Sequence, residues 1–175
     1  MRNVLVIGGS ASGKSGLAEG IVSAAGFPRR FYIATMMPFG GEGQARIAKH
    51  REARRELGFE TVERYTDIGG LILPERGAAL LEDIGNLVAN EMFGDGGDLD
   101  KRDAGPAERI VSGALALAEQ CGLFVVVTND VSRDGVRYDA ETAEYIRVIG
   151  LVNRRLAARF DEVYEAVAGF LIQIK

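Results

Sequence analysis

Residues 8–15 combine glycines, a lysine and a serine at a spacing that suits a chain of phosphates. They fit the pattern G-x-x-x-x-G-K-[ST] at every fixed position and read Gly8, Gly9, Ser10, Ala11, Ser12, Gly13, Lys14 and Ser15. The glycines let the backbone curl around a phosphate without Cβ clashes, so that N–H groups point at the anion. In such a phosphate-binding loop (P-loop) the lysine reaches the β- and γ-phosphates, and the serine hydroxyl ligates Mg²⁺. The motif therefore predicts binding of a nucleoside triphosphate.

The segments on either side of this loop supply the context that the motif requires. Residues 4–7 form an apolar, β-branched run typical of a buried strand, and residues 16–22 have the pattern of a helix. A strand, loop and helix in this order place the helix N-terminus at the phosphates. An ordinary glycine-rich turn is the alternative, and the two flanking patterns argue against it.

A basic row lies on a helix predicted for residues 42–57. Arg46, His50 and Arg54 recur at intervals of four residues and therefore share one helix face. Arg51 and Arg55 are adjacent to them. Arginine presents a planar fork of donors that matches phosphate oxygens, so such a row can clamp a triphosphate. A solvated basic face would show the same spacing, and the spacing alone leaves both interpretations open.

His50 is the only histidine in the chain. Neighbouring guanidinium charges disfavour the imidazolium form, so the ring would stay neutral and nucleophilic near pH 7. A neutral imidazole beside bound phosphates is a candidate nucleophile. A surface or packing histidine is the alternative.

Acidic residues end two of the apolar runs. Glu82 and Asp83 follow the run 78–81, where a carboxylate can make a second Mg²⁺ contact opposite Ser15. Asp130 ends the run 124–129 and is a weaker candidate for the same role. A carboxylate at a strand end also occurs for solvation alone, so the pattern by itself is loose.

Alternating strands and helices are needed to bring these residues together. Short apolar runs alternate with helical patterns, which predicts a single-domain α/β fold of the P-loop NTPase type over residues 1–175, with a mainly parallel sheet flanked by helices. The predicted strands are 4–7, 31–34, 59–63, 78–81, 123–128 and 163–167. The predicted helices are 15–24, 42–57, 84–93, 107–121 and 140–160. Gly169 sets off residues 170–174, which predicts a C-terminal antiparallel hairpin at one sheet edge.

The composition is that of a small soluble enzyme. Apolar residues make up 47% and charged residues 26% of the 175 positions, and the net charge of −4 argues against a nucleic-acid or anionic-membrane surface. Cys121 is the only cysteine, so neither a disulfide framework nor a thiolate metal cluster is expected. No apolar run approaches the ~20 residues of a membrane span, and we expect a cytoplasmic protein.

Taken together, these motifs resemble the bifunctional adenosylcobinamide kinase / adenosylcobinamide-phosphate guanylyltransferase family of cobalamin biosynthesis. The resemblance covers nearly the whole chain. It rests on residues 8–15, 32–35, Arg46-Ile47 followed by His50, Arg51 and Arg54, then Thr61 with Glu63, residues 80–82 with Asn90, residues 127–131, Gly150 with Asn153, and the end Ile174-Lys175.

The resemblance implies two reactions at one nucleotide site. A hydroxyl of adenosylcobinamide takes a phosphoryl group from ATP or GTP, and His50 then attacks the α-phosphate of GTP and passes GMP to adenosylcobinamide phosphate. Arg46, Arg51 and Arg54 would clamp phosphates. Thr35, Glu63 and Glu82 would belong to the nucleotide site, with Glu82 and Ser15 at the Mg²⁺. The resemblance further implies a corrinoid substrate and a homo-oligomer, a trimer, in which neighbouring subunits complete the corrinoid site.

Two other classes of protein remain compatible with the sequence. The family P-loop commonly has arginine where this chain has Ala11, and an arginine-aspartate pair where it has Ile146 and Arg147. A P-loop kinase of another small metabolite would use the triphosphate clamp without a covalent histidine. A non-catalytic nucleotide-binding protein would keep only the fold.

Overall fold

The computed structural model describes residues 1–38, 52, 54–94, 105–131 and 136–175, and within them the chain forms one seven-stranded sheet. The strand order across the sheet is β3-β2-β4-β5-β1-β6-β7. The strands are β1 (Arg2–Gly8), β2 (Arg30–Ala34), β3 (Glu60–Glu63), β4 (Ala78–Glu82), β5 (Leu123–Asn129), β6 (Glu162–Val167) and β7 (Phe170–Gln173). The helices are α1 (Lys14–Ala24), α2 (Ile84–Phe93), α3 (Pro106–Glu119) and α4 (Ala140–Arg159), with a short 3₁₀ turn at Ile68–Gly70.

The sheet is parallel except at one edge. Strands β2 to β6 all run in the direction of β1, and only the hairpin β6–β7 is antiparallel. Strands β4 and β5 are continuous apolar runs because helices cover both of their faces, which is the usual state of a parallel sheet. The predicted mainly parallel sheet with a C-terminal antiparallel hairpin is therefore confirmed.

Two apolar cores lie on the two faces of the sheet. On one face, α2, α3 and α4 pack through side chains such as Leu87, Leu117 and Val152 against Leu5 and Val126. On the other face, α1 packs through Ala18 and Val22 against alternate residues of β1, β4 and β5. Because successive strand residues point to opposite faces, the side chains of one strand serve both cores.

The bounds of the observed elements lie within two residues of the predicted ones. The greater part of the predicted helix 42–57 and of the predicted loop 94–105 falls outside the described residues. Among the residues that the structure describes, no helix has the length and apolar character that crossing a bilayer demands.

Candidate nucleotide-binding site

The P-loop connects the carboxyl end of β1 to the first turn of α1. Gly13 precedes α1 with φ 85°, a left-handed conformation that glycine adopts without a steric penalty. Because glycine has no side chain to cap the helix, the first N–H groups of α1 stay available to an anion. The Lys14 ammonium donates to the Gly9 carbonyl oxygen at 3.2 Å, across the mouth of the loop. The loop thus has the open donors and the cation that a phosphate needs.

The back of the P-loop is packed tightly against other strand ends. The Asp130 N–H donates to the Gly8 carbonyl oxygen at 3.1 Å, which ties the loop to the end of β5. A Cβ on Gly8 would lie 2.5 Å from the Ser12 hydroxyl and 3.0 Å from the Ala166 carbonyl oxygen. Gly8 is therefore required by close approach, and only a glycine fits there without a shift of the backbone.

Glu82 at the end of β4 contacts Ser15, the last residue of the P-loop. The Ser15 hydroxyl donates to one carboxylate oxygen of Glu82, and the Tyr32 hydroxyl donates to the other. Hydroxyl and carboxylate oxygens are the ligands that Mg²⁺ prefers. No group of three or more histidine, cysteine or acidic side chains among the described residues would hold a metal ion by itself. This pair therefore fits a Mg²⁺ that arrives with nucleotide phosphates.

Glu63 and Glu82 lie in one row at the carboxyl edge of the sheet. Ala34 of β2 pairs with Glu63 of β3 on one side and with Glu82 of β4 on the other. Two strand spacings separate the acids, or about 10 Å between their backbones. The Glu63 carboxylate is exposed and accepts a hydrogen bond from the Tyr65 hydroxyl at 2.9 Å. Both acids thus face the same space beyond the strand ends, where ligands bind in open α/β sheets.

Arg54 is the part of the predicted basic row that the structure describes. Its guanidinium lies over the Tyr32 ring, 3.5 Å from the ring centroid, which is a cation–π contact. Glu19 of α1 is half-buried nearby, and burial followed by the charge of Glu82 raises the pKa of its carboxyl, while Arg54 lowers it. Arg46, His50 and Arg51 lie outside the described residues. The end of the basic segment therefore lies beside the Ser15–Glu82 pair.

Tyr32 stays protonated at neutral pH. Burial and the neighbouring Glu82 carboxylate raise the pKa of its phenol well above the usual value. The hydroxyl is therefore a permanent donor to Glu82.

Thr35 ties the ends of β2 and β4 together. Its hydroxyl donates to the Asp83 carbonyl oxygen at 2.9 Å and accepts from the Asp83 N–H at 2.7 Å. The Asn90 amide donates to the carbonyl oxygens of Thr35 at 2.8 Å and of Tyr65 at 2.9 Å. Thr35 is fully buried, so its hydroxyl serves the architecture of the site.

Asp83 also has a structural role, at the start of α2. Its carboxylate caps α2 by accepting from the Asn86 N–H at 2.7 Å, and the Asn129 amide donates to its other oxygen at 3.3 Å. Burial is the main cause that raises the pKa of this carboxyl. Of the two acids that the sequence offers at this strand end, Glu82 alone contacts Ser15 among the hydrogen bonds of the described residues.

Sequence reasoning missed the contacts that join these parts. Tyr32 enters the sequence analysis only within the family resemblance, and Glu19 does not enter it at all. A strand tyrosine followed by an arginine 22 positions later carries no periodic signal, so the stacked pair is visible only in three dimensions.

The fold and the site define a protein of the P-loop NTPase-like class. The ATPase domain of G40P matches with a TM-score of 0.50 and 8% identity, covering 94% of this chain and 68% of that one. The flagellar accessory protein FlaH from Methanocaldococcus jannaschii matches with a TM-score of 0.50 and 9% identity, covering 99% and 78%. These likenesses concern the fold alone.

Within that class, the chain belongs to the family described as cobinamide kinase / cobinamide phosphate guanyltransferase, whose model matches residues 4–174. It is 36% identical to the bifunctional adenosylcobalamin biosynthesis protein CobU of Salmonella typhimurium, with 98% of this chain and 99% of that protein covered. It is 31% identical to the bifunctional adenosylcobalamin biosynthesis protein CobP of Pseudomonas aeruginosa, with 98% and 96% covered. The resemblance found in the sequence is thus confirmed at the level of the family.

Proposed function

We propose that this chain is a transferase of cobalamin biosynthesis with two activities. The first is phosphorylation of a hydroxyl of adenosylcobinamide by ATP or GTP. The second is transfer of GMP from GTP to adenosylcobinamide phosphate through a guanylylated His50. The observation that carries the proposal is the Ser15–Glu82 contact at the P-loop, with Arg54 of the basic segment close by, in a chain that matches its family from residue 4 to residue 174.

In the phosphorylation step, the chain binds and orients rather than reacting covalently. Lys14 and the N–H groups of the P-loop would hold the β- and γ-phosphates, and Ser15 and Glu82 would hold a Mg²⁺, which would supply charge neutralisation to the phosphates. The acceptor oxygen forms a bond to the γ-phosphorus, the bond from the γ-phosphorus to the bridging oxygen breaks, the nucleoside diphosphate leaves, and the hydroxyl proton passes to solvent. Phosphoryl transfer of this kind depends on positioning and electrostatics, which the rigid P-loop supplies.

In the guanylyl transfer step, His50 is the nucleophile. Its ring nitrogen bonds to the α-phosphorus of GTP, the bond to the β-phosphate oxygen breaks, and pyrophosphate leaves. A phosphate oxygen of adenosylcobinamide phosphate then displaces the histidine to give adenosylcobinamide-GDP. Arg46, Arg51 and Arg54 offset the charge of the departing pyrophosphate. Glu63 contributes to binding of the guanine nucleotide.

The same proposal includes the second substrate, the compartment and the oligomeric state of the enzyme. Its second substrate is a corrinoid, and the active form is a cytoplasmic homo-oligomer, a trimer, with the corrinoid bound between neighbouring subunits.

Labelling with GTP distinguishes this function from that of a simple kinase. With Mg²⁺ and GTP labelled at the α-phosphate, the chain should acquire one GMP in an acid-labile, alkali-stable phosphoramidate bond, and GTP labelled at the γ-phosphate should leave no label. His50→Ala should lose labelling and guanylyl transfer.

Arg55→Ala is the matched control on the basic segment, because the Arg55 side chain is exposed and paired with Glu52 at 2.7 Å. This variant should acquire the GMP label to the same extent as the wild type. If intact-mass spectrometry finds no GMP adduct on the wild-type chain, or if His50→Ala transfers GMP normally, the chain is better described as a P-loop kinase. Equal competition by GTP, ATP and CTP would also contradict a guanylyltransferase.

A further inference from the structure

Tyr32 contacts both ends of the proposed site. Its hydroxyl donates to the Glu82 carboxylate, which also accepts from Ser15, and its ring supports the Arg54 guanidinium 3.5 Å from the centroid. The side chain is 1% exposed and lies on the α1 side of β2. Phe59 packs edge-on against the ring at 5.9 Å, which fixes its plane. A single side chain, fixed in place by its packing, therefore lies between the Ser15–Glu82 pair and Arg54.

The two contacts of Tyr32 reinforce each other physically. A phenol that donates a hydrogen bond to a carboxylate gains electron density on its ring, and a more negative ring face attracts a guanidinium more strongly. Buried aromatic contacts to cations are worth more than exposed ones because water does not screen them. The hydrogen bond to Glu82 therefore strengthens the contact between the Tyr32 ring and Arg54.

We propose that Tyr32 is a positioning residue that couples the two ends of the site, since its hydroxyl holds Glu82 against Ser15 while its ring holds Arg54. The inference rests on the proposed function, because Mg²⁺-GTP is its probe. Glu82 and Arg54 act on the nucleotide, and Tyr32 acts only through them. The role of the hydroxyl and the role of the ring can therefore be separated by substitution.

Tyr32→Phe removes the hydroxyl and keeps the ring. Binding of GTP measured by calorimetry with Mg²⁺ should weaken about tenfold, the effect of a lost hydrogen bond to a charged group, whereas binding in EDTA should stay within about twofold of wild type. Tyr164→Phe is the matched control, because that hydroxyl donates to the Glu162 carboxylate at 2.6 Å on the far strand β6. It should bind GTP like the wild type in both conditions.

The ring contact is tested by a double-mutant cycle. Arg54→Ala should weaken GTP binding about tenfold in the wild type. The loss should be smaller in Tyr32→Phe, which keeps the ring but lacks the hydrogen bond that strengthens its contact with Arg54, and less than twofold in Tyr32→Leu, where Arg54 has already lost its support. The chain has no tryptophan, so tyrosine dominates its near-ultraviolet absorption. Arg54→Ala should shift this absorption in the wild type and leave that of Tyr32→Phe unchanged, a result that does not depend on whether Tyr32→Leu folds.

The outcomes separate this inference from the proposed function. If Tyr32→Phe binds Mg²⁺-GTP like Tyr164→Phe, or if Arg54→Ala leaves the tyrosine absorption unchanged, Tyr32 is only a packing residue and the inference is overturned while the proposed function stands. A wild-type chain that binds no GTP overturns both.

Discussion

The Gly169 N–H donates a hydrogen bond to the Ser12 carbonyl oxygen at 3.0 Å, so the turn of the β6–β7 hairpin holds the P-loop from behind. Ala168 and Gly169 have φ values of 49° and 85°, and both lie in the left-handed region that this tight turn requires. A Cβ on Gly13 would lie 3.4 Å from the Gly169 Cα, so the two glycines are in contact. The antiparallel edge of the sheet is therefore in direct contact with the P-loop.

Gly169→Ala should weaken nucleotide binding without touching the nucleotide. A Cβ at positive φ costs about 1 kcal/mol, and a turn that relaxes to relieve it moves the N–H away from Ser12. Gly26→Ala is the control, because Gly26 has φ 73° and, like Gly169, open space around its Cβ. Both variants should lose similar stability on urea unfolding, but Gly169→Ala alone should lose affinity for GTP, by about threefold to tenfold. Equal GTP affinities would show that the hairpin does not shape the loop.

Lys14→Ala should weaken GTP binding at least about tenfold and abolish turnover. In the proposed complex the ammonium would contact the β- and γ-phosphates, and a charge-assisted contact of this kind is worth about 1.5–3 kcal/mol. GMP lacks these two phosphates, so its affinity should not change. Calorimetry with both nucleotides checks the prediction, and an equal loss for GMP and GTP would indicate a general disturbance of the site.

Glu91→Ala should destabilise the fold strongly. Two guanidinium nitrogens of Arg109 donate to one Glu91 carboxylate oxygen at 3.0 and 2.8 Å, the Asp67 N–H donates to the other at 2.7 Å, and the Glu91 side chain is only 2% exposed. Breaking a buried pair costs about 3–5 kcal/mol, which lowers the Tm of a chain this size by about 6–20 °C.

The matched variant for this prediction is Arg155→Ala. It removes the exposed pair with Glu108, and a surface pair contributes about 1 kcal/mol or less. In thermal unfolding, the Tm of Glu91→Ala should therefore be far lower than the Tm of Arg155→Ala. Similar Tm values for the two variants would mean that the buried Glu91–Arg109 pair contributes little to the stability of the fold.

Glu162→Gln should lower stability at neutral pH but not in strong acid. The hydrogen bond from Arg2, at 2.6 Å, is the main cause that lowers the pKa of the Glu162 carboxyl to about 2. Since an unfolded glutamate titrates near about 4.3, the stabilisation is complete above that pH and is lost as the pH falls to about 2. Arg2 is half-exposed, so the effect at pH 7 should be about 1 kcal/mol or less. Urea midpoints of both proteins should therefore converge between pH 4 and pH 2.

The sequence predicts the fold well because its strands carry strong local signals. Buried parallel strands such as β4 and β5 are continuous apolar runs bounded by polar residues, and the P-loop pattern specifies its own strand and helix. Residue type and position at a strand end are enough to name Ser15 and Glu82 as candidates for one metal site, but their direct contact is visible only in three dimensions.

The missed contacts depend on strand order and long-range packing. The row of Glu63 and Glu82 exists because β2 lies between β3 and β4, and the local sequence carries no information on that order. Glu91 and Arg109 look like ordinary surface charges until α2 and α3 are packed together. The roles of Arg46, His50 and Arg51 stay predictions, since these residues lie outside the described part of the chain.

The position of β1 in the centre of the sheet determines when the P-loop can take shape. Val4 of β1 pairs with Val125 of β5 and Glu162 of β6, partners more than a hundred residues later in the chain. Contacts so distant in sequence form slowly, because a long loop must close before they stabilise anything. During synthesis the P-loop leaves the ribosome long before β6, so its scaffold is complete only after β6 and the hairpin turn have emerged. A nucleotide bound at the P-loop, as proposed, would therefore stabilise the chain only once these late strands have formed and would not guide its early folding.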